Sequence, residues 1–187
     1  MWSALLDTVR SHTGRDVVIA GGCIRDYALG LDPKDVDIFV ACETREELGE
    51  LARALNDGGL FSLELIRPGD WDADSPSHGE GVPDLLGVLS GEGLGVPVDV
   101  IARADHAVGR DELLAGFDFH ILKALYAGDT SSGAVFTSEC FTDVRNRTAT
   151  LAHQRSVAIS YARFERFEQR NPGVLTMVDP WQLDFEF

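Results

Sequence analysis

Residues 17–40 read VVIAGGCIRDYALGLDPKDVDIFV, and this stretch decides the fold. Val17–Ala20 is a short apolar run of the kind a buried strand leaves, and it leads straight into Gly21-Gly22. A helix from Cys23 to Leu29 stops at Gly30, and Leu31-Asp32-Pro33 turns the chain into a second strand, Val36–Val40. Asp35 and Asp37 stand two residues apart, so on a strand their carboxylates leave the same face. Taken alone, that spacing is more simply a solvated strand edge. The surroundings argue for chemistry. Gly21-Gly22 opens a helix whose N-terminal N–H groups a triphosphate can approach, and Arg25 adds a fixed positive charge. No GK[ST] follows, so this is not a Walker loop.

Magnesium takes hard oxygen ligands and keeps much of its water, so one or two carboxylates and substrate phosphates suffice for each ion. A second ion needs a further carboxylate. Asp99 in VPVDVIA supplies it, being charged within an apolar strand where an unpaired carboxylate is costly to bury. Asp35, Asp37 and Asp99 are therefore the expected catalytic and metal-binding residues, holding two Mg2+ ions that activate a hydroxyl and neutralise a leaving pyrophosphate. Gly21, Gly22 and Arg25 are the expected nucleotide contacts.

The flanking chain reads as alternating elements. Trp2–His12 and Thr44–Asn56 have helical spacing, with Thr44 as a cap, and Phe61–Ile66 is a strand. Residues 67–84 hold five acids, three prolines and three glycines, and are expected to form a mobile acidic loop. Within it, residues 70–74 have the opening spacing of a calcium loop, but Ser75 and Gly81 stand where that loop needs glycine and glutamate. Leu85–Leu89 and Val96–Ala102 read as strands, and Asp111–Ala127, Glu139–Val144 and His153–Arg170 as helices.

Composition bounds the rest. A chain of 187 residues that is 44% hydrophobic forms one domain, with or without a short helical appendage. Cys23, Cys42 and Cys140 form no CxxC pair, so neither zinc nor a disulfide framework is expected. The N-terminus does not resemble a signal peptide, and no run approaches the roughly 18 apolar residues of a membrane span, so a soluble, cytoplasmic protein is expected. The five histidines show no ligand spacing, and Trp181, Phe185 and Phe187 in the tail are open to docking on the domain or on a partner.

A net charge of −15 excludes a protein that coats nucleic acid with its whole surface. Yet residues 143–170 carry +3, leaving −18 elsewhere. At 100° per residue, Arg155, Arg163, Arg166 and Arg170 share one stripe about 80° wide, opposite Val157, Tyr161, Phe164 and Phe167. The stripe is either an ordinary solvated face or a contact for phosphate or RNA.

The run Gly21–Gly30, continued through Lys34-Asp35-Val36-Asp37-Ile38, resembles the signature of the head domain of poly(A) polymerases and CCA-adding enzymes, members of the DNA polymerase beta-like nucleotidyltransferase superfamily. The resemblance implies an α+β fold with a mixed sheet flanked by helices, two magnesium ions, and an NTP bound at the glycine turn. FDFHILKALY, residues 117–126, resembles the family's RRDFTINAL segment, which makes Asp118 a nucleotide contact at the ribose, although Gly116 and Phe117 replace its two arginines. The later Asp143-Val144-Arg145-Asn146-Arg147 resembles short, often phage-encoded members. The family's base-reading EDxxR element has no counterpart here, nor does its large tRNA-gripping helical body.

The expected organisation is a catalytic core over 1–128 and a helical extension with a tail over 129–187. The expected activity is transfer of NMP from an NTP to a hydroxyl, with an RNA 3′ end, tRNA above all, as acceptor by family analogy. The alternatives are the same chemistry on a protein or small molecule, or a non-catalytic acidic binding protein of the same fold.

Overall fold

Local signals place most elements of the computed structural model, which describes residues 1–66, 85–104, 110–128, 133–153 and 157–182. Helix α1 (Trp2–Thr13) buries Leu5, Leu6 and Val9 and ends at Gly14, whose left-handed backbone lets its N–H cap the Arg10 carbonyl. Strand β1 (Val17–Ala20) is buried throughout and feeds α2 (Gly22–Leu29), which ends at left-handed Gly30. β2 (Val36–Ala41) follows. Thr44 accepts a hydrogen bond from the Glu47 N–H and caps α3 (Arg45–Asp57). β3 (Phe61–Ile66) alternates, with Phe61 and Leu63 inward. β4 (Leu85–Gly93) and β5 (Val96–Arg103) form a hairpin on Leu94-Gly95.

The sequence from 111 to 127 departs from the single helix expected there. It forms a six-residue α4 (Arg110–Ala115), a 3₁₀ turn at His120–Leu122 and β6 (Ala124–Tyr126). The Gly116 N–H closes α4 by bonding the Glu112 and Leu113 carbonyls. Beyond it, Leu125 and Tyr126 pair with Ala20 and Ile19 on the open side of β1. A short apolar run carries no period that separates strand from helix, and the free strand edge settled the outcome. β7 (Ala134–Phe136), β8 (Thr148–Thr150) and β9 (Thr176–Val178) were not anticipated either, each being only three residues long. Helices α5 (Ser138–Asn146) and α6 (Val157–Arg170) occupy the expected places.

Seven strands form one mixed sheet in the order β3-β4-β5-β2-β1-β6-β7, and β8 and β9 form a second, two-stranded parallel sheet. β2 and β5 run parallel, and the other neighbours in the large sheet are antiparallel. One face of the sheet, through Val36, Ile38, Val40, Val98 and Val100, packs on Leu5, Leu6, Leu48, Leu51 and Leu55 from α1 and α3. The opposite face, through Phe39 and Ile101, is covered by Leu113 and Leu114 of the short α4. That lesser cover is why the second face keeps room for polar groups. A third cluster joins Phe119 and Ile121 to Ala149, Leu151, Phe167 and Leu175, and packs against Leu29 and Leu31 at the end of α2. The C-terminal segment is thereby seated beside the glycine turn.

The three cysteines are buried and none forms a disulfide. Among the described residues no helix is long and apolar enough to cross a membrane. The acidic loop at 67–84 with its calcium-like stretch, Arg155, and Phe185 and Phe187 lie outside the described residues.

Candidate active site

The site is built where β1, β2 and β5 lie side by side. Gly21 sits between β1 and α2 with φ 84° and ψ −131°, a conformation open essentially to glycine. Its N–H bonds the Ala124 carbonyl, and its own carbonyl receives the Arg25 N–H, so α2 starts abruptly at the strand end. The first-turn amides of Gly22, Cys23 and Ile24 have no helical acceptor, which makes this end an electropositive cradle.

Next to it stands the carboxylate set. Asp37 on β2 pairs in register with Asp99 on the parallel β5, so the two side chains stand abreast, on the face that bears Phe39 and Ile101. Asp35 lies just ahead of β2, with Oδ2 3.0 Å from Lys34 Nζ. The consequence is electrostatic crowding. Burial first, then the charges of Asp35 and Asp99, push the Asp37 carboxyl up from 3.8 to about 8, against the weaker pull of Lys34 and Arg25. Cys23 adds nothing reactive here, because burial and the nearby Asp37 charge push its thiol up to about 12.

These residues fit a hard divalent cation. Their donors are carboxylate oxygens, the one adjacent thiol stays protonated, and a cation would offset the burial and the like charges that together hold the Asp37 carboxyl at about 8. Among the described residues no three acidic, histidine or cysteine side chains are already gathered into a metal cage.

Phe117 closes one side of the turn. Its ring lies 3.1 Å from where a Cβ on Gly21 would stand, and Asp37 Oδ2 is 3.8 Å from the same point. The ring also meets Phe39 edge-on, with centroids 6.1 Å apart. Phe117 falls within the helix expected over 111–127, in which this contact with the glycine turn is not foreseen. Its only signal was the FDF alternation after Gly116, which fits an extended segment better than a helix.

Arg25 is held on the other side. Its Nε and Nη2 lie 2.7 and 2.6 Å from Oδ1 of buried Asp26, and its guanidinium sits 4.3 Å from the ring centroid of Phe167 on α6. Nη2 remains 3.7 Å from where a Gly22 Cβ would stand. Arg25 is thus fixed beside the turn with much of its fork already engaged.

Two expected residues meet unexpectedly. Asp118 is 4% exposed, and its Oδ2 accepts a hydrogen bond from Arg163 Nη1 at 2.9 Å, while Oδ1 is buried with no partner among the described residues. Arg163 therefore leaves the solvent stripe in which helical geometry placed it. Angular position on a helix does not reveal what packs against it, and here a buried carboxylate does. Arg166 and Arg170 form no ion pair among the described residues and are half-buried and exposed respectively. Asp143 of the Asp-x-Arg-Asn-Arg element is structural: its carboxylate accepts from the Thr148 hydroxyl and from both the N–H and the hydroxyl of Thr150, and Arg147 takes the left-handed turn at the end of α5.

No family model matches the sequence, and neither does any curated protein. Solved structures do match. A Thermotoga maritima CCA-adding enzyme complexed with tRNA superposes with a TM-score of 0.61 at 18% identity, over 96% of this chain and 39% of that one. The chain has the CCA-adding enzyme fold. A CCA-adding enzyme bound to CTP matches with a TM-score of 0.60 at 19% identity over 95% of this chain, and a tRNA-processing enzyme with 0.60 at 17% over 92%. The chain spans 39% and 44% of the length of these two. At such identities the likeness establishes architecture, the mixed sheet and flanking helices expected from the sequence, and residue roles rest on the site's own geometry.

Proposed function

We propose that this chain is a magnesium-dependent nucleotidyltransferase that moves a nucleoside monophosphate from an NTP to a hydroxyl acceptor and releases pyrophosphate. The observation that carries the reading is the in-register pairing of Asp37 with Asp99, with Asp35 alongside, next to a glycine turn that opens a helix. Carboxylates placed beside a helix N-terminus are suited to holding cations against phosphates.

Asp35 and Asp37 would hold both magnesium ions and Asp99 the catalytic one. When bound, the ions lower the pKa of the attacking hydroxyl and offset charge on the departing pyrophosphate. The first-turn amides of α2 bind and orient the triphosphate, and the fixed charge of Arg25 adds positive potential there. Asp99 helps to take the acceptor proton as the hydroxyl oxygen bonds the α-phosphorus and the bond to pyrophosphate breaks. Phe117, packed on Gly21 beside Asp37, keeps water from that side of the reacting groups.

The acceptor in this reading is an RNA 3′ end, with the solved neighbours bound to tRNA and CTP in support. Arg166 and Arg170 supply phosphate contacts from α6, joined by Arg155, which precedes that helix in the sequence. The core at 1–128 carries the chemistry and residues 129–187 the acceptor side.

Incubation with magnesium, each labelled NTP and mixed acceptors tests this. Transfer should need the metal and fall by at least about a thousandfold in Asp35→Ala/Asp37→Ala, which removes most of the metal-binding charge. Label on protein or on a small molecule in place of RNA would keep the chemistry and reassign the acceptor. Absence of both transfer and metal-dependent NTP binding would leave a non-catalytic acidic binding protein.

A further inference from the structure

Asp118 presents an asymmetry that its fold alone does not require. The carboxylate is buried and one oxygen is fully engaged by Arg163, yet the other is sealed from solvent without a donor. A buried acceptor left without a donor is costly, and such groups persist where something arrives to complete them. The surroundings say what arrives. Arg163 and Phe167 stand four residues apart on one face of α6, about 6 Å along its axis. Phe167 carries the guanidinium of Arg25, whose Nη2 lies 3.7 Å from where a Gly22 Cβ would stand, and the ring of Phe117, the neighbour of Asp118, lies 3.1 Å from where a Gly21 Cβ would stand. One turn of α6 thus spans from Asp118 to the glycine turn.

We propose that Arg163 is a positioning residue of the nucleotide site: by engaging Oδ2 it fixes the Asp118 carboxylate with Oδ1 ready to accept a hydrogen bond from the bound nucleotide. This rests on the nucleotidyltransferase reading above and adds to it that α6 is part of the nucleotide site. A bare carboxylate on an extended segment turns freely about its side-chain bonds. The arginine, drawn from 45 residues away, removes that freedom before the nucleotide binds.

The competing explanation is that the ion pair merely staples α6 to the core. Full-length protein is assayed for metal-dependent NTP transfer, with KM and kcat measured separately and thermal stability recorded for every variant. Arg163→Ala should raise KM for the NTP roughly 10- to 100-fold, the worth of one hydrogen bond to a charged group, with kcat changed less. Arg163→Lys should recover part of the loss by restoring a charge beside Oδ2. Because Arg163 acts through Asp118, Asp118→Ala/Arg163→Ala should be no worse than Asp118→Ala alone. Tyr161→Phe, which loosens the same helix by removing the bond to Asp179, should lower stability and leave KM in place.

Multiplying effects of the two single variants would overturn the proposal, as would an unmoved KM in Arg163→Ala or an equal rise in Tyr161→Phe. If Arg163→Ala does not fold, Arg163→Lys and Arg163→Gln carry the same comparison. Failure of the unmodified protein to bind or transfer any NTP would instead overturn the underlying reading. Transfer that is normal in the parent and indifferent to Arg163 would overturn this inference alone.

Discussion

Asp37 is the residue on which the site turns, because it touches both halves of it. Its carboxyl is crowded by Asp35 and Asp99 and lies beside Gly21 and the Phe117 ring. A carboxyl that titrates near 3.8 in the unfolded chain and near 8 in the fold binds its proton more tightly when folded. Its stabilising effect is therefore complete below about pH 4 and is lost as the pH rises through 8. Metal-free protein should melt at progressively lower temperature between about pH 4 and 8, and Asp37→Asn should flatten that decline. Added magnesium should restore the melting temperature most at the alkaline end, where Asp37 is charged. Parallel melting curves for the parent and Asp37→Asn across this range would show that Asp37 is not the strained group.

At the scale of elements, the Asp143 hub organises the C-terminal segment. From the last turn of α5 it anchors both ends of β8 and so sets the strand against which β9 pairs. Its carboxylate is buried and saturated by three donors, so Asp143→Ala strands those donors and should cost about 2–4 kcal/mol in denaturant unfolding. A loss below about 0.5 kcal/mol, the range of ordinary surface changes, would contradict this account. The Asp-x-Arg-Asn-Arg element was legible in the sequence only as a likeness. Its physical role depends on Thr148 and Thr150, whose side chains carry no signal until the chain has turned back through left-handed Arg147. The stretch 111–127 teaches the same lesson from the other side: its apolar residues are real core, but the edge of β1 converts the second half into β6.

Across the whole molecule, charge separates the two ends of the proposed reaction. A chain of net −15 carries a locally basic segment at 143–170, where Arg166 and Arg170 have no acidic partner among the described residues. If RNA is the acceptor, Arg166→Ala/Arg170→Ala should weaken RNA binding several-fold and reduce the salt dependence of binding by close to two counterions, leaving NTP affinity unaltered. An unchanged salt slope in a binding titration would remove α6 from the acceptor path.

The sequence by itself determined the strand, glycine turn, helix and strand over 17–40 and the cap at Thr44. These follow from side-chain period and turn chemistry acting over a few residues. It also singled out Asp99, because a charge in an apolar strand is costly wherever that strand ends up. Only the tertiary structure decided that β5 lies parallel beside β2 with Asp99 abreast of Asp37, that Phe117 closes on Gly21, and that Arg163 turns inward to Asp118. Each of those depends on which strand edges and buried charges remain unsatisfied after the local elements have formed, and residues 45 or more positions apart meet only when the core closes.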